Sequence, residues 1–467
     1  MTAKGSYDLL VVGAGPAGLA AAAEAAALGV SVAVVDERPA PGGQIYKQPG
    51  LRVAGHRALG ADHRRGRALV QAAERSGARF LLRTACLSVR GTEAVLAPEG
   101  ERARTVTAGR ILLAPGAHDR PVAFPGWTLP GVLTAGGAQT LVKAHRVGLG
   151  RRVVFAGSGP LALAFPAQLR RYGVPVVAAL EAGPAPGLAD LARLGAAARG
   201  NGRLLLDAAR YRLELARARV PFRRRRIVVR AEGRGRVEAV VHAAVDDEWR
   251  VVPGSEERIE ADTLCVGYGL CPSVELSRLA GCALRYDEDL GGPVVVVDEW
   301  QRTSVPGVSA AGEATGVEGA HVAEDEGRLA ALGLVEDERR AAPVRRRLER
   351  RRRFQRALRR LHRVGAGVYE LATPETVVCR CEELTRAELE EAIEASADIG
   401  VVKGFTRVTM GLCQGRNCAR QLAALVAARH GLALADVPAA TPRAPVRPVP
   451  LGAVADETVG DPGLFVA

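Results

Sequence analysis

The sequence predicts an α/β chain of two nested dinucleotide-binding folds followed by a small helical module. Three observations predict it: a strand, glycine loop, helix, strand and acid in succession around Gly13, a second such succession around Gly157, and four cysteines crowded near the C-terminus. With 467 residues, 48% of them apolar, the chain is long enough for two or three domains with real cores. Eight cysteines in so long a chain are too few for a disulfide scaffold. The net charge of +13 comes almost wholly from arginine, because only four of the 64 basic residues are lysines (4, 47, 143 and 403). No nucleic-acid module or interleaved aromatics accompany that charge, so nucleic acid is not expected as a partner.

The first succession starts with the apolar strand Leu9 to Val12 and continues through Gly13-Ala-Gly15-Pro16-Ala17-Gly18 into an alanine-rich helix reaching about Leu28. It closes with a strand from Val30 to Val35 that ends at Asp36-Glu37. Gly13 permits the tight turn, Gly15 lets a pyrophosphate approach the backbone, and Gly18 lets helix and strand pack closely. The helix start then offers amide donors and a positive dipole to phosphates, and Asp36 stands where a carboxylate accepts ribose hydroxyls. FAD is the expected ligand. Gly42-Gly43-Gln44 resembles the second glycine element of flavoproteins, Ala114 and Gly116 resemble the strand-end loop that returns to the FAD pocket, and Gly312-Glu313 resembles the segment whose acid holds the ribityl chain. That acid is more often Asp in the superfamily, one methylene shorter.

The second succession runs from strand Val153 to Ala156 through Gly157-Ser-Gly159-Pro-Leu-Ala162 to a strand, Val174 to Leu180, ending at Glu181. It predicts a second Rossmann-like domain inserted into the first, as in disulfide-reductase-like flavoproteins. Glu181 favours NAD over NADP, since a carboxylate repels a 2′-phosphate; an ATP-like nucleotide, or FMN at a subunit interface, stays open. Cys86, Cys265, Cys271 and Cys282 form no C-x-x-C or C-x4-C pair, which argues against a redox-active disulfide, and they read as small buried hydrophobes. The eight histidines show no close metal spacing; His321 is of interest because its stretch is expected beside the flavin ring.

Cys379-Arg-Cys381 and Cys413 to Cys418 with four residues between make a thiolate cage. Four Cys ligands suit an iron–sulfur cluster; a structural zinc site also accepts four, though its paired ligands are usually two to four residues apart. Thr385-Arg-Ala-Glu388 is a capping box opening a helix that brings the pairs together. Val378-Cys-Arg-Cys-Glu382, Lys403-Gly-Phe-Thr-Arg407 and Met410 to Cys418 resemble the [2Fe–2S] domain related to bacterioferritin-associated ferredoxin, over about residues 375–432.

These readings divide the chain at 1–149 and 263–336 (first nucleotide domain), 150–262 (insert), 337–370 (basic helical linker), 371–432 (cluster domain) and 433–467 (extended tail). The run Arg345 to Arg363 reads as a basic amphipathic helix, solvated or docking on an acidic partner or membrane face. The tail carries five prolines between Pro438 and Pro450, with Val449, Leu451 and Leu464 available to lie along a surface. From Lys4 the chain enters a strand without signal-peptide architecture, no stretch is apolar enough to span a bilayer, and the thiolates need reducing surroundings; a cytoplasmic protein is expected, with peripheral attachment to the inner membrane face left open.

Taken whole, with Gly42-Gly-Gln-Ile-Tyr46, Ala117-His-Asp-Arg-Pro121, Pro130-Gly-Val-Leu-Thr134 and Arg447 to Gly452, the chain resembles the flavin and iron–sulfur subunit of bacterial dye-linked amino-acid dehydrogenases. That group includes subunits of opine oxidase, hydrogen cyanide synthase and proline or hydroxyproline dehydrogenase. The resemblance implies a partner subunit built like an amino-acid oxidase that oxidises the amine, with a small ferredoxin-like subunit left open, and this chain as the relay. No general base for attack on substrate is identifiable. A self-contained NADH-dependent reductase and a scaffold with vestigial sites are the competing expectations.

Overall fold

In the computed structural model, residues 7–47 and 61–455 are described; Lys4 and Leu464 lie outside them. The chain divides into two compact units, one of residues 1–118, 271–352 and 442–467, the other of 119–270 and 353–441. The sequence placed the corresponding crossings near 149/150 and 262/263. They fall earlier and later because strand Val132–Thr134, beyond the first glycine loop's own sheet, joins the insert's sheet through Thr263–Gly267.

The first unit is built on parallel strands in the order Arg79–Leu81, Val32–Val35, Tyr7–Val12, Arg104–Leu113, extended by antiparallel Glu93–Pro98 and Thr84–Arg90. Val308–Ala310 also pairs in parallel with Arg104–Leu113, putting Ala310 beside Leu113. Tyr7–Val12 runs Leu9 to Val12 fully buried, as expected of a strand covered on both faces. Its C-terminal end, next to the switch in strand order, is where ligands bind in such sheets.

The second unit has a five-stranded parallel sheet ordered Phe222–Arg224, Val176–Glu181, Val153–Gly157, Thr263–Gly267, Val132–Thr134, with a three-stranded antiparallel sheet behind it. The cysteine segment belongs to this unit. Leu389, Ile393, Ile399, Val402, Leu422 and Val426 bury one face of each of three helices, Arg386–Ala395, Ile399–Thr406 and Ala419–His430, around Val378, Cys379 and Cys418. The predicted spacer is therefore two helices, because Ser396 leaves helical geometry and Asp398 caps a new start through Gly400 N–H.

The basic run differs from expectation. It forms the helix Glu338–Leu361, but its arginines within the first unit are not a solvated linker face: Arg347 and Arg351 pair with Asp325, and Arg352 with Glu318 and Glu326. Those acids lie at or just before the buried helix Ala320–Leu332 and need counterions. Of the tail, residues 433–441 belong to the second unit, and the described residues from Pro442 to Ala455 pack on the first, where Val446 N–H donates to the Leu87 carbonyl and Val449 and Val454 pack on the Leu87–Val95 cluster.

Candidate functional site

The first glycine loop is assembled by backbone contacts that exclude side chains. Gly13, at φ 111°, faces the Ala114 carbonyl so closely that a Cβ would lie 2.2 Å from its oxygen, and a Cβ on Gly18 would lie 1.9 Å from the Gly13 oxygen. Gly15 precedes the helix Pro16–Ala26, whose first residue is proline, leaving the next amides at an open N-terminus. Gly42 N–H donates to the Ala14 carbonyl at 2.8 Å, and a Cβ on Gly43 would sit 2.8 Å from Gly15 Cα. Gly13, Gly15, Pro16, Ala17, Gly18, Gly42, Gly43, Ala114 and Gly312 therefore form one cradle of main chain and small side chains. Gln44 is exposed at its edge, and Gly116 carries the return loop through a bond from Ser273 N–H.

The acids of this site differ from one another. Asp36 accepts Ala14 N–H at 2.7 Å and Arg38 N–H at 2.9 Å, while burial pushes its carboxyl up. Glu37 instead points to Arg447, 3.2 Å away. Glu313 accepts Gly319 N–H at 3.0 Å through one oxygen; the other is screened from solvent without a partner, and burial pushes the carboxyl up to about 7. A buried carboxylate oxygen without a donor fits a ligand hydroxyl at that place, so the donor set agrees with FAD.

Sequence reasoning missed the support behind this cradle. Glu326 accepts Gly312 N–H at 2.6 Å and the Thr315 hydroxyl at 2.9 Å, and is itself held by Arg352. Gly327 lets the Ala320–Leu332 helix cross the Pro16–Ala26 helix, since a Cβ there would be 2.0 Å from the Ala17 oxygen. Tyr46 donates to Glu324 at 2.7 Å, and Arg65 pairs with the same carboxylate. A glycine spaced for helix crossing was the one local signal among these; the acid–arginine contacts join segments with no shared pattern. His321 lies 4.0 Å from Glu324 at the start of its helix.

The second loop repeats the design. Gly157 packs on the Gly267 carbonyl, and Gly159, at φ 85°, precedes the helix Pro160–Arg171. Glu181 ends its strand as expected but is only 1% exposed. It turns inward to accept Gly183 N–H at 3.0 Å, and burial pushes it up to about 7 against the opposing pull of Ser158, Gly183 and Arg224.

The four C-terminal cysteines converge. Cys418 at the start of Ala419–His430 hydrogen-bonds Cys379 and Cys413, and Cys413 reaches Cys381. The Cys418 contact and main-chain amides of Glu382, Thr409 and Cys381 lower Cys379 to about 6; Cys418 and the amides of Asn417 and Gly415 lower Cys413 to about 5. Hydrogen bonding to Cys379 and Cys413 raises Cys418, and burial raises Cys381. Non-glycine residues Glu383, Arg407, Thr409 and Gln414 hold φ between 51° and 70° in these loops, a cost that such loops accept to aim their amides. Among the described residues no trio of Cys, His, Asp or Glu surrounds a single metal-ion position. The donor set, four thiols with amides directed at sulfur, suits thiolates shared over a two-iron cluster. Cys86, Cys265, Cys271 and Cys282 are free and buried, and burial pushes Cys86 and Cys265 up to about 12. No described helix is long and apolar enough to cross a membrane.

Comparison with known proteins agrees with this construction. Residues 7–327 match the pyridine nucleotide-disulphide oxidoreductase family, and residues 373–457 match the sarcosine oxidase A3 domain. An opine oxidase subunit from Agrobacterium tumefaciens (strain Ach5) is 36% identical over 96% of this chain and 91% of its own length. Hydrogen cyanide synthase subunit HcnB of Pseudomonas aeruginosa is 35% identical over 95% and 97%. The crystal structure of L-proline dehydrogenase from P. horikoshii shares the fold, with TM-score 0.70 at 22% identity over 97% of this chain and 80% of that one. This chain belongs to the pyridine nucleotide-disulphide oxidoreductase family, in the group of these opine oxidase and hydrogen cyanide synthase subunits, and is a flavin-dependent oxidoreductase.

Proposed function

We propose that this chain is the FAD- and [2Fe–2S]-carrying subunit that relays electrons from amine or amino-acid oxidation, of the opine, proline, hydroxyproline or glycine type, to an acceptor. The oxidation itself is done by a partner subunit built like an amino-acid oxidase. The relatives are named as subunits, and by that likeness this chain works with others. The reading rests above all on the four converging thiols in a chain whose first glycine cradle is complete.

A bound flavin exchanges electrons in pairs or singly, whereas an iron–sulfur cluster takes them one at a time, so the two together convert one regime to the other. The chain's own residues set the terms. Gly13, Gly15 and Gly18 hold the pyrophosphate against main-chain amides, with Gly42 and Gly43 closing the cradle, Asp36 faces the ribose, and Glu313 takes a ribityl hydroxyl on its spare oxygen. Cys379, Cys381, Cys413 and Cys418 ligate iron, and the amides of Glu382, Thr409, Gly415 and Asn417 hold negative charge on sulfur. Cys381 is the exposed ligand and opens the site to an acceptor.

Anaerobically isolated protein is expected to contain two irons and two acid-labile sulfides per flavin, by the composition of such a cluster. Cys413→Ser should lose the iron absorption while retaining the flavin band. Wild-type protein without iron, or an unaltered spectrum in Cys413→Ser, overturns the reading.

A further inference from the structure

The helix Gly202–Arg217 has two unlike faces. One is turned inward: Leu215 is fully buried, Tyr211 packs in the same cluster, and Glu214 accepts both Nη2 and Nε of Arg171, at 2.6 and 3.0 Å. The opposite face carries Arg203, Leu206, Arg210, Leu213 and Arg217 at alternating spacings of three and four residues. Such spacing sets side chains in one straight row along a helix, and from Arg203 to Arg217 the row is roughly 21 Å long at the rise of an α-helix. Leu206 and Leu213 are 67% and 47% exposed, and with Arg203, Asp207, Ala209 and Arg210 they line an open groove.

A single exposed leucine needs no explanation, but leucines repeated at a heptad's distance in one row are the pattern of a helix that pairs. The arginines decide with what. Arg203 and Arg217 have no carboxylate partner among the described residues, and Arg210 reaches only Asp207, at 3.9 Å. Two copies of this row set against each other would bring arginine to arginine, and like charges at that range repel. A helix lying in a membrane surface separates its basic and apolar residues onto different faces. Here they alternate along the same row, which suits a facing helix whose apolar residues meet the leucines and whose carboxylates meet the arginines.

We propose that the outer face of Gly202–Arg217 is a docking surface for an acidic amphipathic helix of another protein chain, with Leu206 and Leu213 as its apolar anchors and Arg203, Arg210 and Arg217 as its charge code. The surface involves neither glycine loop and none of the thiols, so it stands or falls independently of the relay reading.

The test mixes full-length protein with two labelled synthetic peptides of three heptads and reads fluorescence anisotropy. Both peptides carry leucine at a and d; one has glutamate at e and g, the other lysine. Three exposed ion pairs predict that wild type binds the glutamate peptide roughly tenfold or more tightly than the lysine peptide. In Arg203→Glu/Arg210→Glu/Arg217→Glu the preference should invert, which a merely misfolded protein cannot do. Leu206→Ser/Leu213→Ser should bind the glutamate peptide more weakly by roughly tenfold or more, from the apolar burial lost. Wild type that prefers neither peptide, or a charge-reversed variant that keeps the wild-type preference, overturns the proposal. Should the reversed variant bind neither peptide, the leucine variant decides, and unchanged binding there overturns it. Wild type that binds phosphatidylglycerol vesicles while preferring neither peptide assigns the face to a membrane instead.

Discussion

Glu313 enters the first site with one carboxylate oxygen used and one spare, and this asymmetry has a consequence for stability. Burial raises its folded-state pKa to about 7 from an ordinary 4.5, with Gly319 N–H opposing and the nearby Glu326 and Glu318 charges reinforcing. A carboxyl raised in this way holds its proton more tightly when folded. Its contribution is therefore fully present below pH 4.5 and is lost as pH rises through about 7, by an amount on the order of 3 kcal/mol at most. Flavin-free protein should thus show a falling melting temperature across that window. Glu313→Gln should make the fall shallower without removing it, because Glu181 is raised to about the same value and titrates alongside. Loading with flavin should also flatten the wild-type curve, since a hydroxyl donated to the spare oxygen stabilises the charged form. An identical slope in wild type and Glu313→Gln, measured by calorimetry, would refute this role for Glu313. Gly13, Gly18 and Gly42 were legible because each meets a local steric demand, as at Gly13 with φ 111°. The spare oxygen was not, since it depends on what Gly319 and the neighbouring acids do in three dimensions.

At the scale of elements, the helix Glu338–Leu361 shows how a surface-looking pattern can serve the interior. Its arginines alternate with Leu348 and Phe354 at near-helical spacing, which is why the sequence reads as an amphipathic face. The buried acids it answers, Glu318, Asp325 and Glu326, sit in a region that by sequence looks like any polar stretch. Arg352 alone bridges two of them, and Glu326 in turn orients Gly312 N–H and Thr315 at the flavin cradle. Arg352→Ala should therefore destabilise by roughly 3–5 kcal/mol, the cost of stranding a buried charge, and should weaken flavin retention. Arg347→Ala should cost less, because Asp325 keeps Arg351 and Arg328. Urea unfolding of the two variants, with flavin content measured after dialysis, checks the ranking; equal destabilisation would contradict it. The cysteine module was legible to the opposite degree. Its capping box, Thr385 with Glu388, forms as the four-residue signature requires, and the four thiols meet. Only the break between its two helices, set by Ser396 and Asp398, was missed, because a serine three residues past the apolar Ile393 and an aspartate two residues further on are compatible with either a continued helix or a fresh cap.

For the whole molecule, the proposed relay sets what each part should do when electrons are supplied. The chain leaves its first unit after residue 118 and returns at 271, so the flavin cradle is completed by segments on both sides of the insert, Gly13 to Gly43 before it and Gly312-Glu313 after it. The second glycine loop and the thiols belong to the other unit. A self-contained NADH reductase would need that second loop to deliver a hydride, whereas a relay needs it only as a structural nucleotide site. In the absence of air, NADH alone is expected to leave the flavin's visible band intact on the time scale of turnover. Adding an amino-acid-oxidising partner subunit with its substrate should bleach the band and reduce a one-electron dye. With Cys413→Ser the bleaching should persist while dye reduction slows, because in the proposed relay the amine step lies before the thiol site and the one-electron step after it. Rapid bleaching by NADH alone would reverse the assignment and make this chain its own reductase. Loss of bleaching in Cys413→Ser would place the thiols before the flavin and reverse the direction of flow.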